Sequence, residues 1–450
     1  MSMKTLIKNA RIINEGSIIE GDVLIHNERI ERIDSEINEP HCTEIDAKGN
    51  ILMPGMIDDQ VHFREPGLTH KATIASESMA AVAGGITSYM DMPNTIPNTL
   101  TLELLEDKYR IAAASSVANY SFYMGISQTN MEEALRIDNV SVCGITDDGL
   151  YFNQEGSILC NHPQFLEQLF ARSEAMIALH CEDEPLIKRN TIQAKDHFGM
   201  EIPFNQHPFI RSVEACYNAT KTVVELAKKH QNRVHIFHVS TAAETELFDH
   251  LTPIRNKRIS AEACVHHLHF NDQWYDSLGS LIKWNPAIKS EQDRLGLIEA
   301  LNANKLDIIA TDHAPHTLTE KNQAYLSALS GGPLVQHALP SILELYHEGL
   351  LTLEQIVEKT SHNVAELYRM KDRGYLREGY YADLVLMNTN AAWEVSTENI
   401  LSKCAWSPFT GQTFRSNIEK TFVNGNLVYD SGKINHTTTG KRLTFEKHRF

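Results

Sequence analysis

The chain has 450 residues, 42% of them hydrophobic, and a formal net charge of -17. That is enough for a large core, arranged as two domains or as one barrel with additions, while the acidic balance argues against nonspecific nucleic-acid binding and against docking on an anionic membrane. No charged-then-apolar leader pattern and no run of about 18 apolar residues is found, which predicts a soluble, cytoplasmic protein. The 7 cysteines lack CxxC spacing, so neither a disulfide framework nor a thiolate zinc site is expected.

Residues 4 to about 46 alternate in short β-like runs, KTLIKNARIIN, GDVLIHNERIERID and CTEIDA, broken by Gly and Asn turns. After Gly49, apolar strand-like runs are separated by helical segments such as LTLELLEDKYRIAAASS and VEACYNATKTVVELAKKH, the alternation of a parallel α/β architecture. Eight candidate strands, MIDDQVH, GITSYMDM, NYSFYMGI, SVCGIT, MIALHCE, RVHIFHVS, RISAEAC and DIIATDHA, predict a (β/α)₈ barrel. From about Gly374 hairpin-like runs return, with an Asn-Gly turn in FVNGNLVYD. Neither terminal β segment has enough strands to bury a face alone. The expected fold is therefore an α/β, TIM-like (β/α)₈ barrel over residues 53–370 with a small β-sandwich domain formed by residues 1–52 and 371–450. The final TTTGKRLTFEKHRF is polar and basic and reads as a partly ordered tail.

The chemistry starts at MIDDQVHFREPG, Met56 to Gly67. Strand alternation would put Asp58, Gln60, His62 and Arg64 on one face and Ile57, Asp59, Val61 and Phe63 on the other. Metal-competent groups recur near the C-terminal ends of later strands: Asp147 and Asp148 after the fourth, His180 in the fifth, His238 in the sixth and Asp312 in the eighth. In a barrel those ends converge on one mouth, and a mouth full of unpaired polar groups is destabilising without a cation. Imidazole and carboxylate donors without thiolates suit zinc.

The runs HFREPG, DMPNT, TDDG, LHCED, HVST, WNPAIK and TDHAPH, in this order along the chain, resemble dihydroorotases of the bacterial class I type, within the amidohydrolase superfamily. The resemblance implies zinc, one or two ions per chain, with His62, Asp148, His180, His238 and Asp312 as ligands and Asp312 also as the catalytic acid/base. Asp148 would bridge the ions, with Asp147 ranked second because it points the other way on an extended chain. His62, Arg64, Asn94, Asn285 and His316 would hold the substrate, with backbone groups near Ser330 and Gly331 matching loosely. The implied reaction interconverts N-carbamoyl-L-aspartate and dihydroorotate in de novo pyrimidine biosynthesis, and the implied partners are a second copy of the chain and an aspartate transcarbamoylase.

One departure stands out. Gln60 occupies the first position of the usual His-x-His pair, and an amide oxygen is a poor zinc ligand beside an imidazole. Gln60 supports one alternative, a catalytically silent scaffold; the other keeps the fold and changes the substrate, a hydantoinase- or allantoinase-like hydrolase of another cyclic ureide. His266, His267 and His269 read as loop and packing groups beyond the seventh strand, and His235 as a side chain turned away from His238.

Overall fold

The computed structural model describes residues 4–150, 159–436 and 440–446. Strands Lys4–Asn14, Ser17–His26, Arg29–Asp34, Thr43–Asp46 and Ile51–Pro54 join Leu384–Asn388, Asn417–Val423, Asn426–Asp430 and Lys433–Ile434 in a 9-stranded sheet. The seam between the two termini is the antiparallel pairing of Ile51–Pro54 with Leu384–Asn388, in which Leu384 faces Pro54 and Met387 faces Ile51. Alternating apolar residues from both ends, among them Ile7, Val23, Leu52, Leu384 and Phe422, form a core of their own. At the two-residue turn between the last long strands, Asn424 and Gly425 both adopt positive φ, the conformation that an Asn-Gly pair supplies to a hairpin.

Inside this sheet domain sits the barrel. Its strands are Met56–Val61, Ile86–Asp91, a third in two pieces (Asn119–Phe122 and Met124–Gly125), Ile145–Thr146, Ile177–Leu179, Val234–Ile236, Ile259–Cys264 and Ile308–Ala310. All neighbours pair in parallel. The ring closes from last strand to first through a parallel bridge between Val61 and His313, with the His62 N–H donating to the His313 carbonyl at 2.7 Å. Each of the eight predicted runs contains one of these strands.

Helices between them start where a side-chain oxygen can accept the unpaired N–H groups of the first turn. Thr73 caps Ile74–Ala83, Asp183 caps Glu184–Phe198, Ser212 caps Val213–His230 and Ser290 caps Glu291–Asn302. Helix Val213–His230 shows why the segments pack: Ala215, Ala219, Val223 and Ala227 recur at helical spacing and are buried against the barrel.

Of the terminal run expected to form a partly ordered tail, residues 440–446 are packed: Leu443 and Phe445 are fully buried, and Arg442 pairs with Glu106 at 2.9 Å; residues 437–439 and 447–450 lie outside the described residues. The alternation in LTF drives this, because its two apolar side chains have a barrel surface to cover. In the first barrel strand, pairing register shifts between Asp58 and Val61, so simple alternation fails there. Asp59 and Gln60 consequently both turn inward, Asp59 to Tyr368 and Gln60 to Asp148. No helix among the described residues is long and apolar enough to cross a membrane.

Candidate active site

The strand ends bring His62, Asp148, His180, His238 and Asp312 together. Two groups of donor atoms result, Asp148–His180–His238 and His62–Asp148–Asp312, with the atoms of each within 4.8 Å of one another. In the first, Asp148 Oδ1 lies 3.6 Å from His180 Nδ1 and 3.8 Å from His238 Nε2, and the two imidazole nitrogens are 3.0 Å apart. In the second, His62 Nε2 lies 3.3 Å from Asp148 Oδ2 and 3.2 Å from Asp312 Oδ1. One oxygen of Asp148 thus serves each group. Asp147 goes elsewhere, accepting the backbone N–H groups of Leu159 and His180.

These donors fit a divalent ion on three counts. Ligands about 2.0–2.2 Å from a tetrahedral zinc lie roughly 3.3–3.6 Å from one another, close to the separations above. The tautomers are also set. Asn94 Oδ1 lies 2.8 Å from His62 Nδ1, and Glu182 Oε2 lies 2.8 Å from His180 Nε2, which leaves His62 Nε2 and His180 Nδ1 as bare lone pairs. Finally, the charges are unbalanced without a cation. Burial lowers the His62 and His180 imidazoles, but Asp148 with Asp312 and Asp148 with Glu182, respectively, outweigh it and raise each to about 9. Burial raises Asp148, and His180, His238 and His62 pull it well below the carboxylate range. Protons on the imidazoles answer the negative charge that a metal ion would meet in their place.

Gln60 is held by two contacts. Its Nε2 donates to Asp148 Oδ2 at 3.1 Å, and its Oε1 accepts from the Cys264 thiol at 3.4 Å. The atom it turns toward the second group is an N–H, which cannot ligate a metal.

Arg64 is 5% exposed and donates from Nε to the Pro315 carbonyl at 3.1 Å. Glu65, the acid beside it, instead accepts the Ile74 N–H at the start of a helix. Arg64 Nη2 lies 3.2 Å from His316 Nε2, which is also 3.0 Å from the Ser330 carbonyl, and Lys71 Nζ lies 3.0 Å from His316 Nδ1. Burial, with Arg64 and Lys71 adding to it, pulls His316 well below the usual imidazole range, so it stays neutral between two cations. Asn285 lies in the segment after the seventh strand, and its buried Oδ1 has no hydrogen-bond partner among the described residues. Gly149 follows Asp148 at φ 73°, and a Cβ there would lie 2.3 Å from Asn94 Nδ2; only glycine lets the two segments close on each other.

Three of the site's residues, Arg64, His238 and Asp312, have φ of 68°, 38° and 50°. Left-handed backbone at non-glycine residues is uncommon and concentrates at functional sites, held by the surrounding packing. His266 stacks on Trp284 at 4.7 Å, and His269 bonds Gln412, in keeping with packing roles.

The chain matches the amidohydrolase family over residues 51–428. It is 30% identical over 437 residues to a dihydroorotase of Methanosphaera stadtmanae, covering 95% of this chain and 97% of that one. The chain belongs to the amidohydrolase family. This amidohydrolase is also 31% identical to a dihydroorotase of a Wolbachia of Drosophila simulans (95% and 96% covered) and 30% identical to that of Aquifex aeolicus (95% and 99% covered). It is a cyclic amide hydrolase of the dihydroorotase kind. Its fold matches the L-hydantoinase of Arthrobacter aurescens with a TM-score of 0.91 at 24% identity, covering 99% and 100% of the two chains. It likewise matches the dihydropyrimidinase of Brevibacillus agri with a TM-score of 0.86 at 22% identity, covering 99% and 100%.

Several residues of this amidohydrolase site escaped the sequence reading. Glu182 receives the His180 Nε2–H and is itself paired with Arg211. It lies in LHCED, but nothing in the spacing says that it turns back to its neighbour. Lys71 adds a second cation beside His316, paired with Glu320 at 3.0 Å. Replacing Glu182 with Gln keeps the shape and removes the charge that fixes the His180 tautomer. The expected result is a zinc affinity lower by about 10–100-fold in a competitive chelator titration, and an unchanged affinity would show that Glu182 does not position His180.

Proposed function

We propose that the protein is a zinc-dependent dihydroorotase, interconverting N-carbamoyl-L-aspartate and dihydroorotate. The observation that carries this reading is the shared carboxylate of Asp148 between two donor groups, beside the buried Arg64, which forms no ion pair with a carboxylate among the described residues. Asp148, His180 and His238 hold one zinc ion. His62, Asp148 and Asp312 offer a second place, which takes its ion more weakly because Gln60 contributes no ligand atom there. When bound, zinc polarises the ring carbonyl and lowers the pKa of water at the site.

The chain's own residues do the rest. Asp312 takes the proton of the attacking water and delivers it to the ring nitrogen as the amide bond opens; in the biosynthetic direction it removes that proton again. Arg64 holds the substrate carboxylate through paired N–H donors, giving local positive charge in an acidic protein. Neutral His316 and the unpaired Asn285 carbonyl accept or donate to the ring amide groups. Asn94 keeps the His62 ring in one orientation.

Changing Arg64 to Lys keeps the charge but loses the fork. KM for dihydroorotate is expected to rise about 10–100-fold with a smaller change in kcat; an unchanged KM would remove Arg64 from carboxylate binding. The reading as a whole is tested by substrate preference. Purified zinc-loaded protein should turn over dihydroorotate at least about 100-fold faster, in kcat/KM, than hydantoin or allantoin. The reverse order would make it a hydrolase of another cyclic ureide, and no turnover of any of the three would make it a scaffold.

A further inference from the structure

Below the mouth, inside the barrel, lies a second set of ligand-type side chains that the proposed reaction does not use. Asp59, His235 and Glu262 are each 0% exposed, and their donor atoms lie within 4.8 Å of one another. His235 Nε2 is 3.0 Å from Glu262 Oε2 and 3.5 Å from Asp59 Oδ2. These separations match those around a tetrahedral ion with ligands at about 2.0–2.2 Å.

The surroundings turn one donor atom of each residue toward the shared space. Ser260 Oγ, which is directed at the Val234 carbonyl, lies 2.8 Å from His235 Nδ1. A proton on His235 Nδ1 would donate to that Ser260 hydroxyl and leave the Nε2 lone pair facing the two carboxylates. Glu262 Oε1 accepts the His238 backbone N–H at 3.1 Å and the Cys264 thiol at 3.6 Å, which leaves Oε2. Asp59 Oδ2 accepts the Tyr368 hydroxyl at 2.8 Å, and Asp59 Oδ1, wholly buried, meets no N–H or O–H donor among the described residues; burial and the facing Glu262 carboxyl hold Asp59 well above the usual carboxylate range.

An orphan carboxylate oxygen in a dry interior is costly unless a cation or a proton satisfies it. Lys257, a buried basic side chain near His235, is already committed to Asp307 at 2.7 Å. Two carboxylates and one neutral imidazole carry the charge that a single divalent ion cancels, and they are the donor types of the zinc and manganese class. We propose that Asp59, His235 and Glu262 bind a divalent transition-metal ion at a site separate from the mouth. Glu262 touches the His238 backbone, so an ion here braces one wall of the mouth from beneath.

Zinc is the probe. Crystals of the zinc-loaded protein measured above and below the zinc absorption edge should give an anomalous peak enclosed by Asp59, His235 and Glu262, apart from any peak at Asp148. A direct carboxyl–carboxyl contact or a water in that space, with signal only at the mouth, overturns the proposal and assigns the cluster to a shared proton. The double variant H180A/H238A, which keeps only the weaker mouth group of His62, Asp148 and Asp312, should retain zinc by elemental analysis, and adding Glu262→Gln should remove about one zinc per chain. A folded H180A/H238A protein without zinc would contradict the site. If that variant does not fold, the wild-type anomalous map decides alone.

Discussion

Asp312→Asn lowers the turnover of dihydroorotate by about 10³-fold, a loss of roughly 4 kcal/mol in transition-state stabilisation, while the circular dichroism spectrum and melting temperature stay near those of the parent. The size follows from the role. Asparagine preserves the side-chain shape beside His62, 3.2 Å from its Nε2, yet cannot accept the proton of water or return it to the leaving nitrogen. The ion at Asp148, His180 and His238 does not use Asp312, so zinc content should fall by no more than the weaker second ion. A variant that keeps more than a tenth of the parent rate would show that another group moves the proton. The neighbouring carboxylates Asp147 and Asp58 are poor substitutes, since they are occupied by Leu159 and His180 N–H groups and by Thr311, respectively.

Asp148→Ala has the larger effect on metal. Both donor groups share this carboxylate, and its removal leaves His62 beside Asp312 and His180 beside His238 with no carboxylate common to the two groups. A cation at the mouth then loses the anion that balances its charge and one ligand from each group, and Gln60 loses its acceptor as well. Zinc should fall below about 0.1 ion per chain at the mouth after dialysis against a weak chelator, and activity should fall with it. Stability is expected to move the other way from a simple loss of contacts. Removing a buried charge along with its desolvation penalty offsets part of what its hydrogen bonds contribute. Retention of mouth zinc in the variant would mean that Asp148 is not a ligand.

Much of this could be read from the sequence because barrels put chemistry at strand ends. His180 and Asp312 sit one and two residues past apolar runs, Ile177–Leu179 and Ile308–Ala310, that pack as parallel strands. A reader needs only the period of the runs to place them at one mouth. The pairing of the two termini followed from the shortage of strands at each end, and the Asn424–Gly425 turn marked one of its hairpins. What stayed hidden depended on contacts that spacing does not encode. The register shift at Asp58–Val61 turned Asp59 into the barrel, against the alternation rule, and so concealed its meeting with His235 and Glu262. Arg211 reaches Glu182 across 29 positions of chain, and Lys71 finds His316 across 245; neither pair has a local signature. The orientation of Gln60 was hidden for the same reason, being set by Asp148 and by Cys264, which are remote in sequence.

The central claim is that a zinc-dependent dihydroorotase site is built on Asp148, His180 and His238. Its most direct test is a zinc titration of metal-stripped protein, following ring opening of dihydroorotate and hydantoin side by side. Activity should be negligible at the start, dihydroorotate turnover should rise as the first equivalent of zinc binds, and hydantoin turnover should stay low throughout. Full activity in metal-free protein, or zinc-activated turnover of hydantoin in preference to dihydroorotate, would contradict it.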